Sequence, residues 1–163
     1  MGTRVKVRYF RGDEIAAITP DDGWRVLPSP NGSRVHYTAE IAPDALIGHD
    51  VRVAAHVTIG PGTTIVSTAW LDAGARIGAN VTIGRGAWVR YGADVGRGAN
   101  VGAGARIGSE ATIAQGAKIG SKATIGPRSL IGHDAVVGDK AKIRGDQHIP
   151  GRTQAPAGAV INP

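Results

Sequence analysis

From Ile41 to Ile149 every sixth residue is Ile, Leu or Val, without an insertion or a deletion. The beat extends backwards to Val35 and forwards through Ala155 to Ile161. A helix repeats its buried face about every 3.6 residues, so a strict period of six excludes one. Along a strand, side chains alternate, so each beat residue and the small residue two places before it, such as Ala75 before Ile77, point the same way. The residue between them points outward. Gly, Asn or Asp recurs at the third place after the beat, where a positive φ is tolerated. Each hexad therefore reads as a very short strand followed by a corner. Three corners close a triangle, and one coil takes eighteen residues. Stacked coils lay their strands side by side in parallel sheets, about 4.8 Å apart.

The chain has 163 residues, enough for one domain. A narrow interior of small and aliphatic side chains suits 25 Gly alongside one Phe, three Tyr and three Trp. The absence of Cys excludes disulfides and thiolate metal ligands. A net charge of +6 favours anionic partners. Along the sequence, however, Lys and Arg are scattered, neither blocked together nor interleaved with aromatics. They read as a solvated basic surface, and nucleic acid is not an expected partner. The opening MGTRVKVRYFRGDE has no apolar run that would make a signal peptide, and no segment reaches the length of a membrane span. The expectation is a cytoplasmic protein, or a component of an assembled particle, without membrane contact.

Residues 1–32 lie outside the beat. Thr3 to Phe10 alternates as a strand does, Glu14 to Thr19 reads as a second strand, and Trp24 to Leu27 as a third. The expectation is a small β-meander over 1–32 that covers the open end of a solenoid spanning 33–163. Pro150, Pro156 and Pro163 suit the opposite end, where further pairing must stop.

The repeat [LIV]-G-x-x-[STAV]-x, carried over roughly four-fifths of the chain, resembles that of the hexapeptide-repeat superfamily. The resemblance implies an all-β fold, a left-handed parallel β-helix of about six to seven triangular coils with no inserted loop. It also implies a homotrimer with the prisms side by side.

In such a prism, residues eighteen apart stack. One outward column then runs Arg52, Trp70, Trp88, Arg106, and the column across it holds Asp72 beside Arg90, with Tyr91 just past the corner. Trp70 and Trp88 are expected as an aromatic pair and Asp72 and Arg90 as a cross-strand ion pair. Outward Trp beside Arg is the composition of an interface, so Arg52, Trp70, Asp72, Trp88, Arg90, Tyr91 and Arg106 are read as a subunit contact in preference to a ligand platform. A second outward apolar set, Leu46, Val66, Leu130 and Val136, lies on the other faces.

Many members of the superfamily are acyltransferases that use acyl-CoA and a His general base. The stretch Leu130 to Lys140, LIGHDAVVGDK, is similar to the His-Asp stretch of the sugar-nucleotide acyltransferases of lipid A synthesis. The resemblance implies His133 as the base and Asp134 beside it, with acetyl-CoA or another acyl-CoA as cofactor. The same Gly-His-Asp recurs at Gly48, His49 and Asp50, as a repeat consensus would produce. The extruded active-site loop typical of the superfamily's acetyltransferases for sugar, antibiotic and serine acceptors has no counterpart in the unbroken register, nor does the helical C-terminal part of the lipid A enzymes. The γ-class carbonic anhydrases share the fold and bind zinc with three His, but His49, His56 and His133 are not spaced to converge, and no metal is expected. On these absences the first reading is a non-catalytic structural or docking module, a rigid trimeric prism. The alternative is an acyl-CoA-dependent acyltransferase using His133.

Overall fold

A computed structural model of the chain describes residues 8–28 and 30–162. It opens with β1 (Phe10–Arg11), α1 (Gly12–Ala16), β2 (Trp24–Val26) and β3 (Arg34–His36), and from β4 (Glu40–Ile41) to β24 (Val160–Ile161) every strand has two residues. The strands stack into three sheets that wrap one narrow core as a left-handed parallel β-solenoid of about 7 turns. The register is the one the beat dictates. Val53 pairs with Leu71, Leu71 with Val89, and Val89 with Ile107, each one coil on. The three faces are named here by their outward residues: the tryptophan face, the Leu46 face and the Leu130 face.

Ile, Val and Leu at the beat and Ala two places earlier are buried through the central coils, and only the end positions Ala39, Ile41, Ala159 and Ile161 are partly exposed. At three of the positions where Ser or Thr replaces that Ala, the hydroxyl bridges two coils. Thr63 Oγ1 donates to the Gly78 carbonyl at 2.7 Å and accepts from the Val81 amide at 3.1 Å. Ser33 and Ser129 repeat the device. A buried polar group is thereby satisfied without opening the ladder. Coil backbones also meet closely. A Cβ added to Gly102 would stand 2.6 Å from the Ser121 nitrogen, so only Gly fits there.

From Asp50 to Gly158, the third residue after each beat has a positive φ. That turn aims its amide back at the preceding coil, as in Asp134 to the Gln115 carbonyl (3.0 Å) and Arg152 to the His133 carbonyl (2.8 Å). Asp and Asn accept this conformation, but Thr68, with φ 62, is β-branched and strained by it. Replacing Thr68 with Gly should therefore stabilise the prism by about 1 kcal/mol, even after the loss of the 2.6 Å bond from Thr68 Oγ1 to the Ser67 carbonyl. A thermal melt should show the midpoint raised by about 2–4 °C; an unchanged midpoint would mean that Thr68 carries no strain.

The N-terminal segment departs from the expected meander. Most of Thr3 to Phe10 lies outside the described residues. Glu14 to Thr19 is not a strand: its start belongs to the helix Gly12–Ala16. The helix wins locally because Glu14 reaches back to accept the Arg11 amide at 2.8 Å, as a capping box does, and because its turn inserts Ile15 into the prism's end. Ile15 and Leu27 join the same buried cluster as the coil residues. β1 adds antiparallel to Leu46–Ile47, and β2 pairs antiparallel with β3 at the end of the tryptophan face. At the far end, Pro150 and Pro156 occupy the position whose amide elsewhere donates to the next coil, as Gly132 does to Ile149, so neither can extend its ladder.

Candidate functional site

The two Gly-His-Asp segments fall on different edges of the prism. His133 and Asp134 turn the corner between the Leu130 and Leu46 faces, whereas His49 and Asp50 turn the corner between the Leu46 and tryptophan faces. At the first corner, Nδ1 of His133 lies 3.5 Å from Oδ2 of Asp134, with both side chains more than half exposed. The imidazole lies against Gly151 one coil on, where an added Cβ would be 2.8 Å from Nε2. Gly151 thus leaves the space the ring occupies. Leu130, 39% exposed, and Val136, half-buried, stand on either side of this corner. At the second corner, His49 Nδ1 and Asp50 Oδ2 are 2.8 Å apart. That pair is flanked by Leu46 on one side and Arg52 on the other, and the Asp50 amide is tied to the Asn31 carbonyl of the N-terminal segment. The third edge carries an Arg128–Asp146 pair, bidentate at 2.7 and 2.8 Å. The Arg128 hydrogen bond holds the Asp146 carboxyl below the usual carboxylate range. Among the described residues, no three His, Cys, Asp or Glu side chains gather to hold a metal.

The tryptophan face brings together most of the residues read as an interface. Trp70 pairs with Arg52 and with Trp88, and Trp88 with Arg106. The Trp70 and Trp88 rings meet edge to face, with centroids 5.7 Å apart. The expected ion pair between Asp72 and Arg90 does not form. Asp72 Oδ2 accepts instead from Trp88 Nε1 at 2.8 Å, and the Arg90 guanidinium lies 4.9 Å from the Trp88 ring centre. The indole N–H is a half-buried donor that needs an acceptor, and the ring face it leaves open attracts the cation. Tyr91 stands at the corner, 60% exposed.

Sequence reasoning missed the upper end of this column. Arg52 lies 5.3 Å from the Trp24 ring centre and 5.9 Å from that of Trp70, and Trp24 meets His36 edge to face. Trp24 is off the six-residue beat, and only the antiparallel β2–β3 pairing carries it to this face. Two shallow recesses flank Trp88. One, of about 270 Å³, is lined by Thr68, Trp70 and Ala87, and the other, of about 200 Å³, by Arg90, Arg106 and Thr124.

Residues 74–107 and 101–127 match the family model described as the hexapeptide repeat of succinyl-transferase. No curated protein matches the sequence. Among solved structures, the chain is similar to LpxA, a UDP-N-acetylglucosamine acyltransferase from Bacteroides fragilis. The TM-score is 0.66 at 17% identity, over 83% of this chain and 67% of that one. It is also similar to AntD, an N-acyltransferase from Bacillus cereus solved with dTDP and coenzyme A, with TM-score 0.65 at 14% identity over 72% of this chain and 77% of that one. LpxA from Acinetobacter baumannii gives 0.53 at 18% identity, over 80% and 65% of the two chains. At such identities the likeness is one of fold.

Proposed function

We propose that this chain, whose residues 74–127 match the hexapeptide-repeat model, is an acyltransferase that draws its acyl group from coenzyme A. It works as a homotrimer, with the Leu130–Leu46 edge at the seam between subunits. His133 is the general base. Its Nδ1 is turned to Asp134, so Nε2 is the atom that takes the proton from an acceptor hydroxyl or amine. The acceptor oxygen or nitrogen then attacks the thioester carbonyl, the carbon–sulfur bond breaks, and the coenzyme A thiolate leaves and is protonated.

The observation that carries this reading is the setting of His133, an exposed His-Asp corner on a prism shared with LpxA and AntD, flanked on both sides by apolar residues. Leu130 and Val136 offer an apolar wall to an acyl-pantetheine arm. His49 has the shorter bond to its carboxylate but an Arg on one flank, so the apolar setting decides for His133. Against the first expectation of a non-catalytic prism, the comparisons favour the enzyme. The unbroken register still supports the structural reading, and the same experiment separates the two. Calorimetric titration with acetyl-CoA should give saturable binding at about one site per chain, as expected for equivalent sites in a symmetric trimer. Absence of any heat of binding with the ligand at millimolar concentration would sink the enzyme reading and leave the rigid structural module.

A further inference from the structure

Scattered in sequence, the cations are gathered in space. Pointing outward along the strands of the tryptophan face are Arg34, Arg52, Arg90, Arg106, Lys142 and Arg144, against one carboxylate, Asp72, which is occupied by Trp88. The Leu46 face carries two outward charges along its strands, Arg11 and Lys118, and the Leu130 face only Glu40, Arg76 and Asp94. A coil of eighteen residues brings to one face cations that the linear sequence keeps far apart. It also interleaves them with aromatics: Trp24, Arg52, Trp70, Trp88 and Arg90 form one continuous run of edge-to-face and cation–π contacts.

We propose that the tryptophan face is a binding strip for single-stranded nucleic acid, with bases stacked on Trp70 and Tyr91 and phosphates held by Arg52, Arg90 and Arg106. A cationic track interleaved with aromatic platforms is what sequence-tolerant single-strand binding requires. Trp70 is 45% exposed and Tyr91 60%, so both present open ring surface. The cation–π contacts hold the guanidinium groups of Arg52 and Arg90 in place before a ligand arrives. From Arg34 to Lys142 the strip spans six coil steps, about 29 Å, enough for several nucleotides. Among the described residues the helix α1 is one short turn packed on the prism's end, and the two-residue strands form no projecting ribbon to enter a duplex groove, which favours the single strand. A second copy of this chain is a poorer occupant, because neither of its other faces offers the carboxylates that six cations would need. The strip is separate from acyl transfer, since the His133 corner lies on the opposite edge of the prism.

The test is fluorescence anisotropy of a labelled oligothymidylate with the full chain, beside an abasic strand of equal length and charge. In low salt (about 50 mM) the oligothymidylate binds saturably, and log K falls with log salt with a slope of about −2, as expected for three phosphate contacts on a single strand. Trp70→Ala weakens the base-bearing strand about 5- to 100-fold and leaves the abasic strand unaffected. Arg52→Gln reduces the slope by about 0.7. Both side chains are exposed, and circular dichroism confirms that each variant keeps its sheets. Equal affinity for the abasic strand, or full competition by polyglutamate, would overturn the proposal in favour of a general polyanion surface. A loss of oligomer mass in Trp70→Ala without any nucleic acid would overturn it in favour of a contact between copies.

Discussion

Replacing Ile107 with alanine lowers stability by about 2–5 kcal/mol, the cost of a buried aliphatic that leaves a cavity. Ile107 is fully buried in a central coil, between Val89 above and Ile125 below. The interior is one side chain wide on each face, and the flanking Gly and Ala have no atoms with which to fill the void. Each coil also touches only its neighbours, so a weakened central coil weakens the coupling between the two ends. The same substitution at Ile161, in the terminal strand and only partly buried, costs much less. Chemical denaturation read by circular dichroism gives both values, and hydrogen exchange of the Arg106 and Gly108 amides reports the local opening. Equal costs at the two positions would contradict a core that is tightest in its middle.

The fold was legible because one feature, the period of six, sets strand, corner, coil and register at once. The adjacency of Trp70 and Trp88 follows from it without any knowledge of side-chain geometry. The partner of Arg90 does not. Register places Asp72 and Arg90 in one column, but the indole N–H of Trp88 also competes for that carboxylate, and half-burial gives the indole the stronger claim. The segment Glu14 to Thr19 reads as a strand because its apolar run Ile15 to Ile18 is too short to separate a strand from a helical turn. The deciding contact, Glu14 to the Arg11 amide, is a capping pattern that apolar content alone does not show. The cationic strip was missed for a different reason. Arg52, Arg90, Arg106 and Lys142 look dispersed when read along the chain and fall on one face only when read by eighteens. The His-Asp corner was legible as letters alone. Its setting was not, because whether His133 faces apolar walls or cations depends on which corner of the triangle it turns.

If the acyltransferase reading holds, His133→Ala lowers kcat by about 10²- to 10⁴-fold, the range a positioned general base contributes. The KM for acetyl-CoA changes little, because the imidazole acts on the acceptor's proton in the transition state and not on the bound donor. Thiol release from acetyl-CoA, in the presence of a mixture of amine and hydroxyl acceptors, measures both. The control is His49→Ala, which removes the same side chain from the other Gly-His-Asp corner and leaves turnover unchanged. Gly151→Val supplies a third arm. Its side chain would occupy the place of the His133 ring, 2.8 Å from Nε2, and push the imidazole aside without altering its chemistry. It therefore lowers kcat in the wild-type background but adds little once His133 is already Ala, because the two act through one group. A loss in His49→Ala with none in His133→Ala would move the base to the edge that borders the tryptophan face. Losses in neither would remove base catalysis from both Gly-His-Asp corners.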